Sequence, residues 1–364
     1  MTTEQKQILL RRDTTSNLSG IVPAEGELVY DTTRKKAAIG DGVTQRQNAD
    51  EFALDSEVLH AKKLADRLYS GVDLSVKFAA EITNYSDVWA WIKSRISVGN
   101  YEGIHVGDYI PFQLAAGTVT DGTTTYTITA KTMHAQIAGI DTYYGYGYVE
   151  HEGSSVHGHH IDFITTKTIG TNIPWNPTDN NNGTADHTVA WLASKLYACL
   201  NGVNNYSTQA YNNVPHGFAT QPGKGVINLL PQALQNQIVE KTLACGNRYS
   251  ASGLLTVCSG WAGYWGIGKL WVPTEIEVYG APIHSTEKAA DGRDYNNIGA
   301  PVQYPLFANT NGYTHNLNKG RVYWWLLSTC GGSSSHACSV DGSGNAVAPG
   351  CATTNISAPV CFRI

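Results

Sequence analysis

"RVYWWLLSTCGGSSSHACSVDGSGNAVAPGCATTNISAPVCFRI" closes the chain as Arg321–Ile364. Its two ends, "RVYWWLL" (Arg321–Leu327) and "APVCFRI" (Ala358–Ile364), are heavy and apolar and read as strands. Between them, Ser328–Asn355 holds no Lys, Arg, Glu, Gln, Met or Trp. A run of small residues cannot fill a core, so this pattern predicts two fixed strands with a surface segment strung between them. Trp324 and Trp325 then belong to the frame that fixes the run, and one of them is placed to border a ligand.

Upstream, residues 73–364 read as one large domain. "SDVWAWIKSRIS" (Ser86–Ser97) predicts an amphipathic helix with Ser86 as its N-cap. "IHVGDYIPFQL" (Ile104–Leu114) and "TTTYTITAKTMHAQIAGIDTYYG" (Thr123–Gly145) predict strands. "ADHTVAWLASKLYACLNG" places Val189, Leu192, Leu196 and Leu200 at helical spacing, with Gly202 at the stop. "LPQALQNQIVEKTLAC" (Leu230–Cys245) reads as a third helix with Pro231 near its first turn. Strands and helices mix without βαβ regularity, so the expected class is α+β with irregular loops.

The first 50 residues form a separate, β-rich unit. "KQILLRRD" (Lys6–Asp13) predicts a strand, and "AEGELVYDTTRKKAAIGDGVT" (Ala24–Thr44) a hairpin turning at "TTRK". Residues 51–72 change character: Leu54, Val58, Ala61, Ala65 and Leu68 step by four, three, four and three. That is the period of a coiled-coil seam, although an ordinary amphipathic helix on a globular core has the same signature. A short β-unit, a heptad helix and a large domain in succession is the layout of a fibrous oligomer, which tips the reading toward a helical neck.

Composition narrows the function. Charged residues make up only 15% of the chain, while Gly (37), Tyr (20) and Trp (9) are plentiful. The net charge of -5 and the lack of a Lys/Arg stripe give no reason to expect nucleic acid. No apolar run reaches membrane-span length, and the polar start "MTTEQKQILLRRD" carries no signal-peptide core. The seven cysteines form no C-x-x-C pair and predict reduced thiols in a protein made in a cytoplasm.

Chemistry-bearing clusters are few. "HEGSSVHGHHIDF" gathers His151, His157, His159, His160 and Asp162, and in a strand His157 and His159 would share one face, as metal ligands do. The surrounding Gly and Ser favour a loop, so no metal is expected. "DGSGN" (Asp341–Asn345) lacks the downstream Glu of a calcium loop and predicts a β-turn, as does "DGRD" (Asp291–Asp294). Glu275 and Glu277 in "PTEIE" offer a carboxylate pair on spacing alone. "WAGYWGIGKLW" (Trp261–Trp271) has residues that stack sugars, but such a density of Trp is more often core.

Arg11, Arg12, Ala24–Leu28, Tyr30 and Ile39–Gly42 together resemble the N-terminal domain of phage tail-fibre and tropism-determinant proteins. The large domain is similar to C-type-lectin-like domains in which "HHIDFI" (His159–Ile164), "LWVPTEIEVYG" (Leu270–Gly280), "YPLFAN" (Tyr304–Asn309), "YWWLLS" (Tyr323–Ser328) and "PVCFRI" (Pro359–Ile364) recur in this order. "VPTEIE" looks like the matching segment of that fold's formylglycine-generating-enzyme branch. The enzymatic branch works through a closely placed cysteine pair, whereas here Cys330 and Cys338 are separated by a Gly/Ser stretch.

The non-enzymatic branch displays ligand-binding side chains on a fixed scaffold, and in some members a retroelement diversifies them by substituting adenines. From an AAC codon such substitution reaches Ser, Thr, Gly, Ala, His, Asp, Cys, Val, Pro and Asn, but never Lys, Glu, Gln, Met or Trp. Ser328–Asn355 holds only reachable residues. A Gly/Ser loop in a charge-poor protein looks much the same, yet turn chemistry does not select three cysteines.

The resemblance thus implies a virion fibre, tail or head, with residues 1–50 attaching to other virion proteins, 51–72 as neck and 73–364 as a C-type-lectin-like head. It implies a homotrimer that binds a bacterial surface protein or glycan without catalysis, cofactor, nucleic acid or membrane. The expected contacts are Cys330, Gly331, Ser334, His336, Cys338, Asp341, Asn345, Cys351, Thr353 and Thr354. The alternatives are a surface-polysaccharide hydrolase, an oxidase using Cys330 and Cys338, or a purely structural decoration fibre.

Overall fold

The computed structural model describes residues 10–18, 20–22, 24–25, 27–31, 36–39, 45, 71–120, 124–145, 158–181, 190–192, 194–202, 224–245, 263–285, 302–308 and 322–364. The chain divides into two units, Met1–Tyr69 and Ser70–Ile364. In the first, β1 (Leu10–Asp13) runs parallel to β2 (Leu28–Asp31), and β2 pairs antiparallel with β3 (Lys36–Ile39), Leu28 opposite Ile39. The predicted strand and hairpin are therefore both present. Leu18 and Val29 are buried, and the Glu27 carboxylate accepts the Ala24 N–H at 2.9 Å. The heptad segment 51–70 lies outside the described residues.

The second unit contains β4 (Tyr109–Leu114), β5 (Gly117–Thr120), β6 (Thr125–Ile128), β7 (Lys131–Ile140), β8 (Ile161–Thr165), β9 (Thr242–Cys245), β10 (Gly263–Gly266), β11 (Trp324–Thr329), β12 (Ala337–Val340), β13 (Ala346–Val347) and β14 (Cys361–Arg363). Helices and strands mix as an α+β domain. The central sheet has the antiparallel order β14-β8-β7-β4, and β11-β12-β13 form a second sheet. Every residue of β8 and β14 is buried, so each strand needs partners on both faces.

Strand alternation sorts those partners. On one face Phe163 lies opposite Phe362 with the rings stacked at 5.2 Å. Trp89 meets them edge-on at 6.2 and 5.9 Å. Trp89 comes from the helix Val88–Ser97, which buries Trp89, Trp91, Ile92 and Ile96 against the core. Its N-cap is Asp87, not the expected Ser86. Asp87 Oδ1 accepts the N–H groups of Trp89 and Ala90 at 2.8 and 2.9 Å, while the Ser86 hydroxyl merely donates to Asp87. A carboxylate at this position also offsets the helix dipole, which a hydroxyl cannot do.

On the opposite face, neighbouring positions of β8 and β14 are charged. Asp162 pairs in register with Arg363, whose guanidinium grips it bidentately at 2.6 and 2.8 Å. Tyr304 donates to Asp162 Oδ2 at 2.9 Å. The Lys241 ammonium lies 3.5 Å from the same oxygen and donates to Tyr304 Oη at 2.6 Å and to Glu277 Oε1. Tyr143 donates to Glu277 Oε1 at 2.6 Å, and the Lys241 ammonium sits 4.5 Å from the Tyr143 ring. All six side chains are buried. The Arg363 and Lys241 charges hold the Asp162 carboxyl well below the usual carboxylate range against the opposing effect of burial.

Two helical expectations are corrected. The helix around Leu196 and Leu200 is Lys195–Asn201, capped by Ser194 and stopped by Gly202 at φ 63°. Leu192 therefore precedes it, and Val189 is outside the described residues. The third helix is only Gln232–Gln235, and Thr242–Cys245 is β9, antiparallel to β10. The apolar spacing of "IVEKTLAC" was compatible with either element, and pairing with Gly263–Gly266 settled it.

Buried ion pairs are poor sources of net stability but costly to break. Lys241→Met strands the Glu277 carboxylate and should lower unfolding free energy by about 3–5 kcal/mol in urea titrations. Adding Glu277→Leu to it should recover part of the loss, because no unpaired charge then remains on Glu277. A second expectation concerns His160, which donates Nδ1–H to Gly158 and accepts the Tyr143 N–H at Nε2. Burial pushes its pKa down to about 4. The unfolded chain takes up that proton near pH ~6.5, so stability should fall as pH drops from about 6.5 to about 4, by roughly 3 kcal/mol. His160→Gln should flatten that part of the stability–pH curve, and an unaltered slope would refute the assignment.

Candidate ligand-binding surface

The run Ser328–Asn355 is built structure. β11 and β12 pair antiparallel with Trp324 opposite Val340, Trp325 opposite Ser339 and Thr329 opposite Ala337, with a bulge between. β12 then pairs with β13 around the turn Asp341–Asn345. In that turn Asp341 Oδ1 accepts the N–H groups of Ser343 and Asn345 at 2.7 and 2.9 Å, and Gly344 takes φ 88°. These hydrogen bonds outweigh partial burial and hold the Asp341 carboxyl below its ordinary range. The expected β-turn is present.

Packing explains part of the run's smallness. Ala337, Cys338, Ser339 and Val340 are all buried, and two of them lie directly across from buried tryptophans. A large side chain there would have to displace an indole from a close-packed interior. Trp324 and Trp325 are fully buried, and Trp325 Nε1 donates to the Ile173 carbonyl at 2.9 Å. They are frame, with no face left to border a ligand.

The ten expected contact residues separate by exposure. Asn345 and Thr354 are exposed, while Cys330, Ser334, His336, Asp341 and Thr353 are half-buried. Gly331, Cys338 and Cys351 are buried, which removes them from a contact surface in this conformation. Cys330, Cys338 and Cys351 are in no disulfide, and burial pushes the Cys351 thiol up. His336 Nδ1 lies 2.6 Å from Ser333 Oγ and 2.8 Å from Ser335 Oγ, so hydroxyls ring one side of the imidazole.

Two supports outside the run hold it. Asn181, fully buried, donates from Nδ2 to the carbonyls of Ser333 and His336 at 2.7 and 2.9 Å, and from its main chain to Ser334 at 2.7 Å. Asn176 N–H reaches the Cys351 carbonyl at 3.1 Å, and Asp179 Oδ1 accepts the Ala352 N–H at 2.8 Å. On the other side Glu275 accepts the N–H groups of Ile283, His284 and Ser285 at 2.8–3.0 Å. The His284 carbonyl in turn accepts the Gly331 N–H at 2.6 Å. Sequence reasoning missed Asn176, Asp179 and Asn181; the signal was the turn-rich "PWNPTDNNNG".

The other chemical candidates resolve into internal roles. Glu275 is saturated by main-chain amides. Glu277 serves the Lys241 cluster and forms a capping box with Thr274, its Oε2 accepting the Thr274 N–H at 2.8 Å. Both carboxylates are buried, so the spacing that suggested a catalytic pair reflects T-x-x-E capping chemistry. His159 Nδ1 lies 2.7 Å from Asp141 Oδ2, and its ring stacks on Tyr144 at 4.6 Å. His157 and His151 lie outside the described residues, as does Asp291–Asp294. Among the described residues no three His, Cys, Asp or Glu side chains gather around a common point. Trp271 of the aromatic run is buried core, and Trp261 is outside the described residues.

Residues 8–44 match the family model of the Major tropism determinant N-terminal domain. Arg11, Arg12, Ala24–Leu28, Tyr30 and Ile39–Gly42 all fall inside the matched residues, so the resemblance read from them is confirmed. Among solved structures, the Major Tropism Determinant U1 and M1 variants each align at 13% identity, covering 98% of this chain and 99% of theirs, with a TM-score of 0.15. The I1 variant aligns at 12% identity with the same coverage and TM-score. Likeness at that TM-score carries no argument about the fold. Comparison with curated protein sequences gave no match.

Proposed function

We propose that the chain is a receptor-binding protein of a phage virion fibre that recognises a bacterial surface ligand through the loops of Ser328–Asn355. The match of residues 8–44 to a tropism-determinant N-terminal domain carries this reading. In it, residues 1–50 attach to other virion proteins, 51–72 form a helical neck and 73–364 form a C-type-lectin-like head displaying the run. No helix among the described residues is long and apolar enough to cross a membrane.

Recognition proceeds without chemistry. Exposed Asn345 and Thr354, with half-buried Ser334, His336, Asp341 and Thr353, present hydroxyl, amide, imidazole and carboxylate groups on a hydrogen-bonded frame. Such side chains bury little area apiece, so each contact is weak. A homotrimer raises the total through effective concentration, because the second and third sites bind intramolecularly once the first is engaged. A protein or glycan surface suits this mode. Substitution at the exposed positions retunes specificity while the Trp324–Trp325 frame stays constant.

Fluorescently labelled protein titrated onto intact cells of a bacterial strain panel tests this reading. Saturable binding to particular strains is expected, and Ser334→Lys combined with Thr354→Lys should weaken it at least about tenfold or shift it between strains. Unchanged binding to every strain would overturn the assignment of the surface. Light scattering of the purified protein should give about three times the 39.3 kDa chain mass, and the monomer mass would refute the trimer.

A further inference from the structure

The run is held by a clamp that addresses only one kind of atom. The hydrogen bonds from Asn181 and Asn176 end on the carbonyls of Ser333, Ser334, His336 and Cys351, and Asp179 takes the N–H of Ala352. All of these are main-chain atoms of the run. The two loops they hold also bind each other through main chain, Cys351 N–H to Ser335 at 2.9 Å and Ala337 N–H to Pro349 at 3.1 Å, while Cys330 N–H to His336 at 3.1 Å closes the first loop on itself. Gly350 closes the arrangement. A Cβ there would stand 2.6 Å from Asp179 Oδ1 and 3.0 Å from its Cγ, so any other residue must shift the carboxylate that holds the Ala352 N–H.

We propose that Asn181 is the positioning residue of this surface, and that with Asp179 it fixes loops 331–336 and 350–353 independently of the side chains at Ser334 and Thr353, provided that position 350 stays glycine. Asn181 suits the task because its amide supplies donors to two carbonyls at once while its own N–H serves a third. Its burial shields those bonds from competing water. Loops already ordered in this way keep their ordering entropy out of the binding step. The consequence for ligands rests on the recognition reading above, whereas the clamp itself is tested with no ligand present.

Amide hydrogen exchange of the full-length chain, read by mass spectrometry on peptides covering 330–337 and 350–354, is the measurement. Asn181→Ala should speed exchange there about tenfold or more while β7 exchanges as in the parent. If Asn181→Ala does not fold, Asn181→Asp, which keeps the shape and main-chain N–H but loses the amide donors, is read by the same criterion. Ser334→Tyr and Thr353→Tyr, which alter side chains but none of the clamped atoms, should leave exchange within about twofold of the parent. Gly350→Ala should speed exchange around Ala352 in the parent but add nothing in an Asp179→Ala background.

Unchanged exchange in the Asn181 variants overturns the proposal. So does equal loosening by Ser334→Tyr, or additivity of Gly350→Ala with Asp179→Ala. Failure to find a bacterial ligand would leave all these outcomes readable.

Discussion

A carboxylate within a strand buried on both faces has to bring its own counter-charge, and Asp162 finds it in the closing strand, at Arg363. The bidentate pair fixes more than charge. It sets the register of β14 on β8 directly, since the two residues are opposite one another, and the same register brings Phe362 over Phe163 for Trp89 to cover. Lys241 and Tyr304 then draw in the chain before β9 and the helix Pro305–Ala308, and Glu277 draws in the helix that starts after Thr274. One neutral cluster of two cations and two anions thus ties together segments far apart in sequence. Because desolvation is so costly for any member left alone, the arrangement tolerates little deviation, and that intolerance is what specifies it.

The strands at the ends of the closing stretch were legible because β-branched and aromatic content suffices to identify a buried strand. The cluster was not. Asp162, Lys241, Glu277 and Arg363 look like surface residues one at a time, and nothing local marks them, since Arg363 meets Asp162 across 201 positions. Only "PTEIE" carried a local signal, and it was the T-x-x-E of a capping box rather than the carboxylate spacing that drew notice. The cap at Asp87 was misplaced by one residue for a similar reason: Ser and Asp are both good caps, and geometry chose the one whose carboxylate reaches two N–H groups. The β9 segment read as a helix because an apolar rhythm over so few residues fits either period until a partner strand is known.

The candidate surface was legible as a place and illegible as a structure. A run of small residues between two strands announced where variation could sit, but not that Ala337–Val340 would be a fully buried strand facing tryptophans. Two causes of smallness are therefore superimposed. At Ala337, Cys338, Ser339 and Val340 packing demands it, and at Gly350 the Asp179 carboxylate does. At Ser334, Asn345, Thr353 and Thr354 neither constraint applies, since these side chains are exposed or half-buried and no main-chain clamp depends on them. On the recognition reading proposed above, residue identity at Ser334, Thr353 and Thr354 is left to answer to a ligand, whereas Asn345 also donates from its side chain to Asp341 Oδ2 at 3.1 Å.

If the run is the recognition surface proposed above, that division resolves a conflict any variable surface faces. Side chains that are free to change cannot also be the ones that hold the loop, because each change would then alter shape and chemistry together. Here the holding is done by Asn181, Asp179 and Asn176 from a segment more than a hundred residues earlier, and it grips carbonyls that every residue carries and an N–H that every residue but proline carries. The clamp is in turn seated on the core, with Trp175 Nε1 donating to the Leu326 carbonyl of β11 and the Ile173 N–H reaching Ile356. The charged cluster and the aromatic frame thus specify the core, main-chain contacts hold the loops, and on the reading proposed above a few exposed side chains are left to meet a ligand.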